Sequence, residues 1–485
     1  MLKKNIMSQN KNFYKISDDS INKMLIALIF PSAIIMLFYS LFRRFDIDEM
    51  EALNTSWKIF KGEKLYVDII QNHNPLLYYL IVPIFKIFGP TGMAFRFIRF
   101  LMYLFFLLTT WSTYYLCKIL TNKTTALISV IAVWSIPIFC IHGIEIRPDI
   151  PQISFSIIAV TLFFSYLKTK NDLHVFLSAL SLGISFLFLQ KAIFLIVLFS
   201  LLAMYHTIIG NINLIIFFIC ILIFLTPETL YVFYHFIQGT FSYYLMSNYF
   251  NLAYNHNKIF INNILIDTID YIYKSNPFIW LFYSLGFLSS FNKKNLSQIC
   301  FLSLGLILSL LIYPVQYRWY LIPALPFVAI VSSQFLYMIL KIDYKTLIII
   351  LLIMLLPTMT CFITRRMIIS PNSVQINKIE YIKSITQKDD HILDSQLTYD
   401  SFNIFWKPIH HYWFDTNTFL GLEEIITGKK PHFEAIEQIK KYKPKIMTKH
   451  SLKTLSGKEF EQINDEFITQ NYFIDSVYPD LLVLK

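Results

Sequence analysis

Residues 24–52 read MLIALIFPSAIIMLFYSLFRRFDIDEMEA, and the change of character after Leu41 decides the fold. Up to that point the chain is apolar over about twenty residues, the length a helix needs to cross a bilayer core of roughly 30 Å. Just beyond it Asp46, Asp48, Glu49 and Glu51 crowd together. Charge at a membrane edge is costly, so the placement of these acids calls for a structural or a chemical reason.

The first run is one of many. The 485 residues are 55% hydrophobic and 17% aromatic, but only 15% charged, and the mean hydropathy is +0.52. A soluble chain carries about a quarter charged residues. Apolar stretches fall at about 22–41, 94–117, 124–141, 150–167, 173–189, 192–209, 212–236, 277–291, 297–313, 320–340 and 346–363. Only helices satisfy every backbone polar group of such segments inside lipid. The expected fold is therefore an all-α polytopic membrane bundle of about eleven transmembrane helices. Residues 75–90, bracketed by prolines, read as a shorter helix at the interface.

The net charge of +11 points to topology, not to nucleic acid, because the lysines sit in short joints between spans. Lys3, Lys4, Lys11, Lys15 and Lys23 precede the first span. Lys118 and Lys123, Lys168 and Lys170, Lys293 and Lys294, and Lys341 and Lys345 fill alternate joints. The positive-inside rule places these in the cytoplasm, with the N-terminus, and puts the other joints outside a bacterial cytoplasmic (inner) membrane. Arg43 and Arg44 in the first outer loop, residues 42–93, run against the rule. The first span has no small-residue cleavage site after it and reads as retained. The five cysteines show neither a metal-ligand spacing nor a disulfide framework.

The chain divides into a transmembrane region, 1–369, and a tail, 370–485, of soluble composition. In the tail DHILDSQ and DLLVLK read as strands, FEAIEQIKKY and KEFEQINDEF as amphipathic helices. A small extracytoplasmic α/β domain is expected. His410-His411 is a weak metal signal.

With this topology four outer joints share one face. The first carries Asp46, Asp48 and Glu49, either as caps of an interfacial helix or as a carboxylate that accepts a proton from an incoming nucleophile. HGIEIRPDI supplies Glu145, Arg147 and Asp149, which could pair among themselves or grip a phosphate through the planar arginine fork. Lys191 interrupts an apolar hairpin, and Arg318 lies among Tyr313, Tyr317, Trp319 and Tyr320 in YPVQYRWYLIPALP. Either cation could snorkel to the interface or meet a lipid-linked phosphate. His73, in NHNP, has no histidine partner at helical spacing, which argues against a metal ligand and leaves it a structural or substrate-facing residue.

Together these features resemble the membrane-embedded GT-C glycosyltransferases. More narrowly, the chain is similar to the bacterial relatives of protein O-mannosyltransferases and of the lipid A aminoarabinose transferases, a family 39-like group. The resemblance rests on the Asp48-Glu49 dyad after the first span, Gly62, Tyr66-Val67-Asp68, NHNPLLYYL, RPD, LQKA and YRWYLIPALP, in order over about residues 20–340. It implies transfer of a sugar from a polyprenyl-phosphate donor to a lipid, glycan or protein acceptor at the outer face of the membrane, with inversion at the anomeric carbon. Asp48 would be the general base and Glu49 its support. Arg147, Lys191 and Arg318 would hold the donor phosphate, with His73 and Tyr320 among the substrate-binding residues. A divalent cation could share that task through Asp46, Glu145 and Asp149; the sequence leaves the metal open. The competing reading is a transporter or flippase of a lipid-linked or anionic solute, which predicts mid-membrane charges and inverted repeats.

Overall fold

The structure, a computed structural model, describes residues 17–69, 71, 73–250, 276–291, 293–309, 318–368, 371–387, 390–393, 407–408, 435–449, 451–452 and 466–485. Helix α1 (Asp18–Phe42) starts at Ser17, whose hydroxyl accepts from the Ser20 N–H, and ends at Arg43. Next come α2 (Ile47–Phe60), α3 (Leu76–Phe88), α4 (Gly92–Leu120), α5 (Lys123–Trp134), α6 (Pro137–His142), α7 (Asp149–Thr169) and α8 (Asp172–Phe188). A 3₁₀ turn (Gln190–Ala192) leads to α9 (Ile193–Ile208) and α10 (Leu214–Ile237). After a short helical turn at Phe241–Leu245, the chain continues with α11 (Pro277–Ser290) and α12 (Lys294–Ser309). A second 3₁₀ turn (Arg318–Ala324) precedes α13 (Leu325–Ile342), α14 (Tyr344–Cys361) and the tail helix α15 (Ser373–Ile385).

Every expected span meets helix. Among the described residues seven helical stretches are long and apolar enough to cross a membrane, and five shorter apolar helices accompany them. One expectation needs correction: the run 124–141 is broken into α5 and α6. Pro137 brings no N–H and its ring excludes the preceding helical turn, so a new helix begins with proline at its first position. At 75–90, where a short helix is expected, the chain forms α3.

Helix α7 lies between α4 and α8, and α13 between α5 and α11; both are largely enclosed by protein. Lipid gives apolar helices no reason to prefer each other, so close approach and buried hydroxyls must hold them. Both are present. A Cβ on Gly286 of α11 would stand 2.2 Å from the Val331 carbonyl of α13. Gln152 and Ser156 of α7 join Ser185 of α8, and Thr109 of α4 meets Ser154 of α7 at 2.6 Å.

The tail adds a five-stranded sheet, with β1 (His391–Leu393), β2 (Lys407–Pro408), β3 (Ile446–Thr448), β4 (Tyr472–Ile474) and β5 (Leu481–Leu484) in the order β2-β1-β3-β5-β4. β1 runs parallel to β2 and β3, while β5 is antiparallel to β3 and β4. Helix Ala435–Tyr442 falls in FEAIEQIKKY as expected, and the two expected strands are β1 and β5. Much of KEFEQINDEF, and His410-His411, lie outside the described residues.

Candidate active site

The acid-rich loop resolves into three separate jobs. Asp46 is the N-cap of α2: its side chain accepts from the Asp48 N–H at 3.3 Å, while the Glu49 carboxylate accepts from the Asp46 N–H at 2.8 Å. This reciprocal capping box satisfies donors that a helix start leaves open. Asp46 is pushed up to about 6, by burial first and then by Glu145, Asp48 and Glu49.

Glu49 has no exposed surface and holds the loop to the bundle. Arg99 of α4 donates to both of its oxygens, Nε to Oε1 at 2.8 Å and Nη2 to Oε2 at 2.6 Å. Arg43 donates to Oε2 at 3.2 Å, and the Ile146 N–H donates to Oε1 at 3.0 Å. Arg99 is itself fully buried and spends its remaining donors on the carbonyls of Ser40, Arg43 and Arg44. Two charges survive such burial only with this degree of hydrogen-bonded pairing.

Asp48, two residues after the cap, points elsewhere. Its Oδ2 lies 2.5 Å from Arg147 Nη1, and about a third of its side chain remains exposed. Arg147 also meets Asp149 through Nε at 3.4 Å, with Glu145 at 3.8 Å. Burial would lower the Arg147 pKa; Asp48, Asp149 and Glu145 hold it well above the ordinary value. Glu145 accepts from Arg43 at 2.7 Å and meets His142 Nδ1 at 2.5 Å. Burial alone would raise it, but His142 and Arg43 keep it well below the usual carboxylate range.

Asp149, at the start of α7, continues the chain of charges to Lys191 Nζ at 3.7 Å. The same ammonium sits 3.9 Å from the centre of the Tyr320 ring, a cation–π contact. His73 stands close enough to this group to feel it. Burial, then Lys191 and Arg147, push its pKa down to about 3, so the ring is neutral at pH 7. Its carbonyl accepts from the Tyr66 hydroxyl at 2.9 Å, and Tyr66 takes a left-handed φ of 68°, uncommon for a bulky side chain.

Thus Asp46, Asp48, Glu49, His73, Glu145, Arg147, Asp149, Lys191 and Tyr320, from four separate connections, gather at one end of the bundle. Arg318 opens the 3₁₀ turn that carries Tyr320; its side chain lies outside the described residues. Among the described residues no three His, Cys, Asp or Glu side chains are grouped to hold a metal ion.

Four participants had no role at the site in the sequence reading. Arg43, which looked like an exception to the charge rule, is neutralised by Glu49 and Glu145. Arg99 carried a usable signal, an ionisable group inside an apolar run. His142 pairs with Glu145. Glu51 is buried one turn beyond Asp48 and accepts from Gln71 Nε2 and, at 3.5 Å, from the Tyr78 hydroxyl. Burial, then the charge of Asp48, raise its pKa to about 8. It is a mostly protonated acid at pH 7.

Residues 72–231 match the family model described as dolichyl-phosphate-mannose-protein mannosyltransferase. No curated protein matches the sequence. The fold is similar to the crystal structure of ArnT from Cupriavidus metallidurans bound to undecaprenyl phosphate, with a TM-score of 0.64 at 9% identity over 96% of this chain and 98% of that one. It is also similar to the archaeal oligosaccharyltransferase AglB from Archaeoglobus fulgidus in complex with an inhibitory peptide and a dolichol-phosphate, with a TM-score of 0.57 at 11% identity over 95% of this chain and 74% of that one. The chain is a helical multi-pass membrane protein with the fold of ArnT and AglB, and its residues 72–231 are similar to the dolichyl-phosphate-mannose-protein mannosyltransferase family.

Proposed function

We propose that this protein is a membrane glycosyltransferase that moves a sugar from a polyprenyl-phosphate donor to a lipid, glycan or protein acceptor outside the cytoplasmic membrane. The observation that carries the reading is the pairing of Asp48 with Arg147 beside Lys191, a base and two cations at the ends of spans. Undecaprenyl phosphate and dolichol-phosphate in the similar ArnT and AglB structures supply the donor class.

The chemistry follows from these groups. The donor phosphate is attracted by Lys191 and Arg147, and competes with Asp48 for the arginine fork. Arg147 thereby uncovers the carboxylate when the donor is in place. An acceptor hydroxyl or amine attacks the anomeric carbon from the face opposite the phosphate, and Asp48 takes its proton. The carbon–oxygen bond to phosphate breaks, and its electron pair leaves on a phosphate oxygen stabilised by the two cations. The sugar is inverted. Glu49 acts here by position, through Arg43 and Arg99.

The test uses a panel of undecaprenyl-phosphate sugars and follows release of undecaprenyl phosphate. Asp48→Asn should lower turnover by about 10²–10⁴-fold while the protein keeps its thermal stability. Full activity in that variant would remove Asp48 from the mechanism. No turnover of any such donor by the wild type, in the presence of lipid, glycan and peptide acceptors, would remove the transferase reading.

A further inference from the structure

We infer that Gln375, on the tail helix α15, is a positioning residue through which the tail domain holds the acid loop in register; its effect on turnover rests on the transferase reading above. Gln375 is buried at 1% exposure. Both ends of its amide engage a single residue of the loop: the Phe45 N–H donates to Oε1 at 2.7 Å, and Nε2 donates to the Phe45 carbonyl at 3.1 Å. Phe45 immediately precedes the Asp46 cap.

The fastening continues along the strand-like connector between α1 and α2. The Asn372 N–H donates to the Phe42 carbonyl and its Nδ2 to the Leu41 carbonyl, both at 2.8 Å, and Arg43 forms an antiparallel bridge with Pro371. Residues 371–375 therefore satisfy the last carbonyls of α1, at Leu41 and Phe42, and both backbone groups of Phe45. On its other side α15 is tied into the sheet domain: Tyr381 donates to Asp475 at 2.7 Å and Lys378 pairs with Asp480. Lys383 donates to the Pro90 carbonyl, just ahead of α4. A mechanical path runs from the sheet through α15 and Gln375 to Phe45, and from there to the helix start that aims Asp48 at Arg147.

An ordinary anchoring role would affect only the amount of folded protein. A positioning role affects the geometry of one loop, and a small misplacement near reacting atoms costs rate far more than binding. Gln375→Leu keeps the volume and removes both hydrogen bonds; Gln375→Glu keeps the acceptor for the Phe45 N–H and loses the donor to its carbonyl.

Hydrogen exchange of the full-length protein in nanodiscs is the first arm. Peptides covering 42–50 should exchange about ten-fold faster or more in Gln375→Leu and by a smaller factor in Gln375→Glu, with peptides of α7 and α13 unchanged. Unchanged exchange in 42–50, or an equal rise everywhere, would overturn the proposal. Should Gln375→Leu not fold, Gln375→Glu decides alone by the same criterion.

The second arm measures turnover of an undecaprenyl-phosphate sugar. Gln375→Leu should lose about ten-fold or more, with undecaprenyl phosphate affinity held within about two-fold, and Asp48→Asn with Gln375→Leu should be no slower than Asp48→Asn alone. Additive losses would reduce Gln375 to an anchor. If Asp48→Asn proves fully active, the transferase reading falls by itself, and the exchange result still decides whether Gln375 sets the loop.

Discussion

Arg147 and Asp48 meet at 2.5 Å although they belong to different loops and lie 99 positions apart. The pair joins a partly exposed carboxylate to a buried guanidinium already shared with two other acids. Replacing Arg147 by lysine keeps the charge but not the fork. Undecaprenyl phosphate affinity should fall about ten-fold, and Arg147→Gln should fall further; isothermal titration in detergent reads both. Equal affinity in all three proteins would take Arg147 out of phosphate binding.

Lys191 is held between Asp149 and the Tyr320 ring. Tyr320→Phe keeps the π face and should leave undecaprenyl phosphate binding within about two-fold, whereas Tyr320→Ala should weaken it by roughly three- to thirty-fold, the range of a partly desolvated cation–π contact. If phenylalanine fails where alanine does, the hydroxyl and not the ring is the important group.

Glu49 and Arg99 should matter first for stability. Breaking a buried, hydrogen-bonded ion pair costs about 3–5 kcal/mol, so Arg99→Leu and Glu49→Gln should each lower the thermal midpoint sharply. Arg99→Lys should rescue little, because a single ammonium cannot serve both Glu49 oxygens and three carbonyls. Thermal unfolding in detergent measures all three. A midpoint unchanged in Arg99→Leu would contradict the structural role.

Glu51 makes stability depend on pH in a definite direction. Its pKa is raised from an ordinary 4.5 to about 8 in the folded protein, so the folded state binds the extra proton between these values. Its contribution is complete below about pH 4.5 and is lost as the pH climbs through 8. Glu51→Gln should flatten that decline, leaving the variant more stable than wild type above pH 8. Asp48→Asn should also narrow the window, since the Asp48 charge helps to raise the Glu51 pKa. Parallel curves for wild type and Glu51→Gln across pH 5–9 would refute the assignment.

The fold was legible because lipid imposes one rule on every span, and length and hydropathy report it directly. The break at Pro137 was harder to read: a proline costs a helix one hydrogen bond, but Pro31, Pro83, Pro227 and Pro357 lie inside helices that continue past them, and hydropathy smoothed the break over. Of the candidate site, Asp48, Arg147, Asp149 and Lys191 stand out as charges in places that disfavour charge. Arg99 carries the same signal, an ionisable group inside an apolar run, yet no role was assigned to it. Arg43 was misread because the positive-inside rule counts residues and cannot see that two carboxylates neutralise this one. Gln375 gives no signal at all: its partner is a backbone, and an amide on an amphipathic helix looks the same whether it meets water or Phe45.

The saturation of Glu49 by Arg99 and Arg43, together with the hold of residues 371–375 on 41–45, sets an order of assembly. The acid loop emerges from synthesis directly after the first span, when neither Arg99 nor the tail exists. Its native shape must wait for the second span, which carries Arg99, and for helix α15, which follows more than three hundred residues later. On the proposed function, a chain that ends before residue 371 should therefore hold the donor lipid poorly and turn over little, because the acid loop lacks the partners that fix its shape.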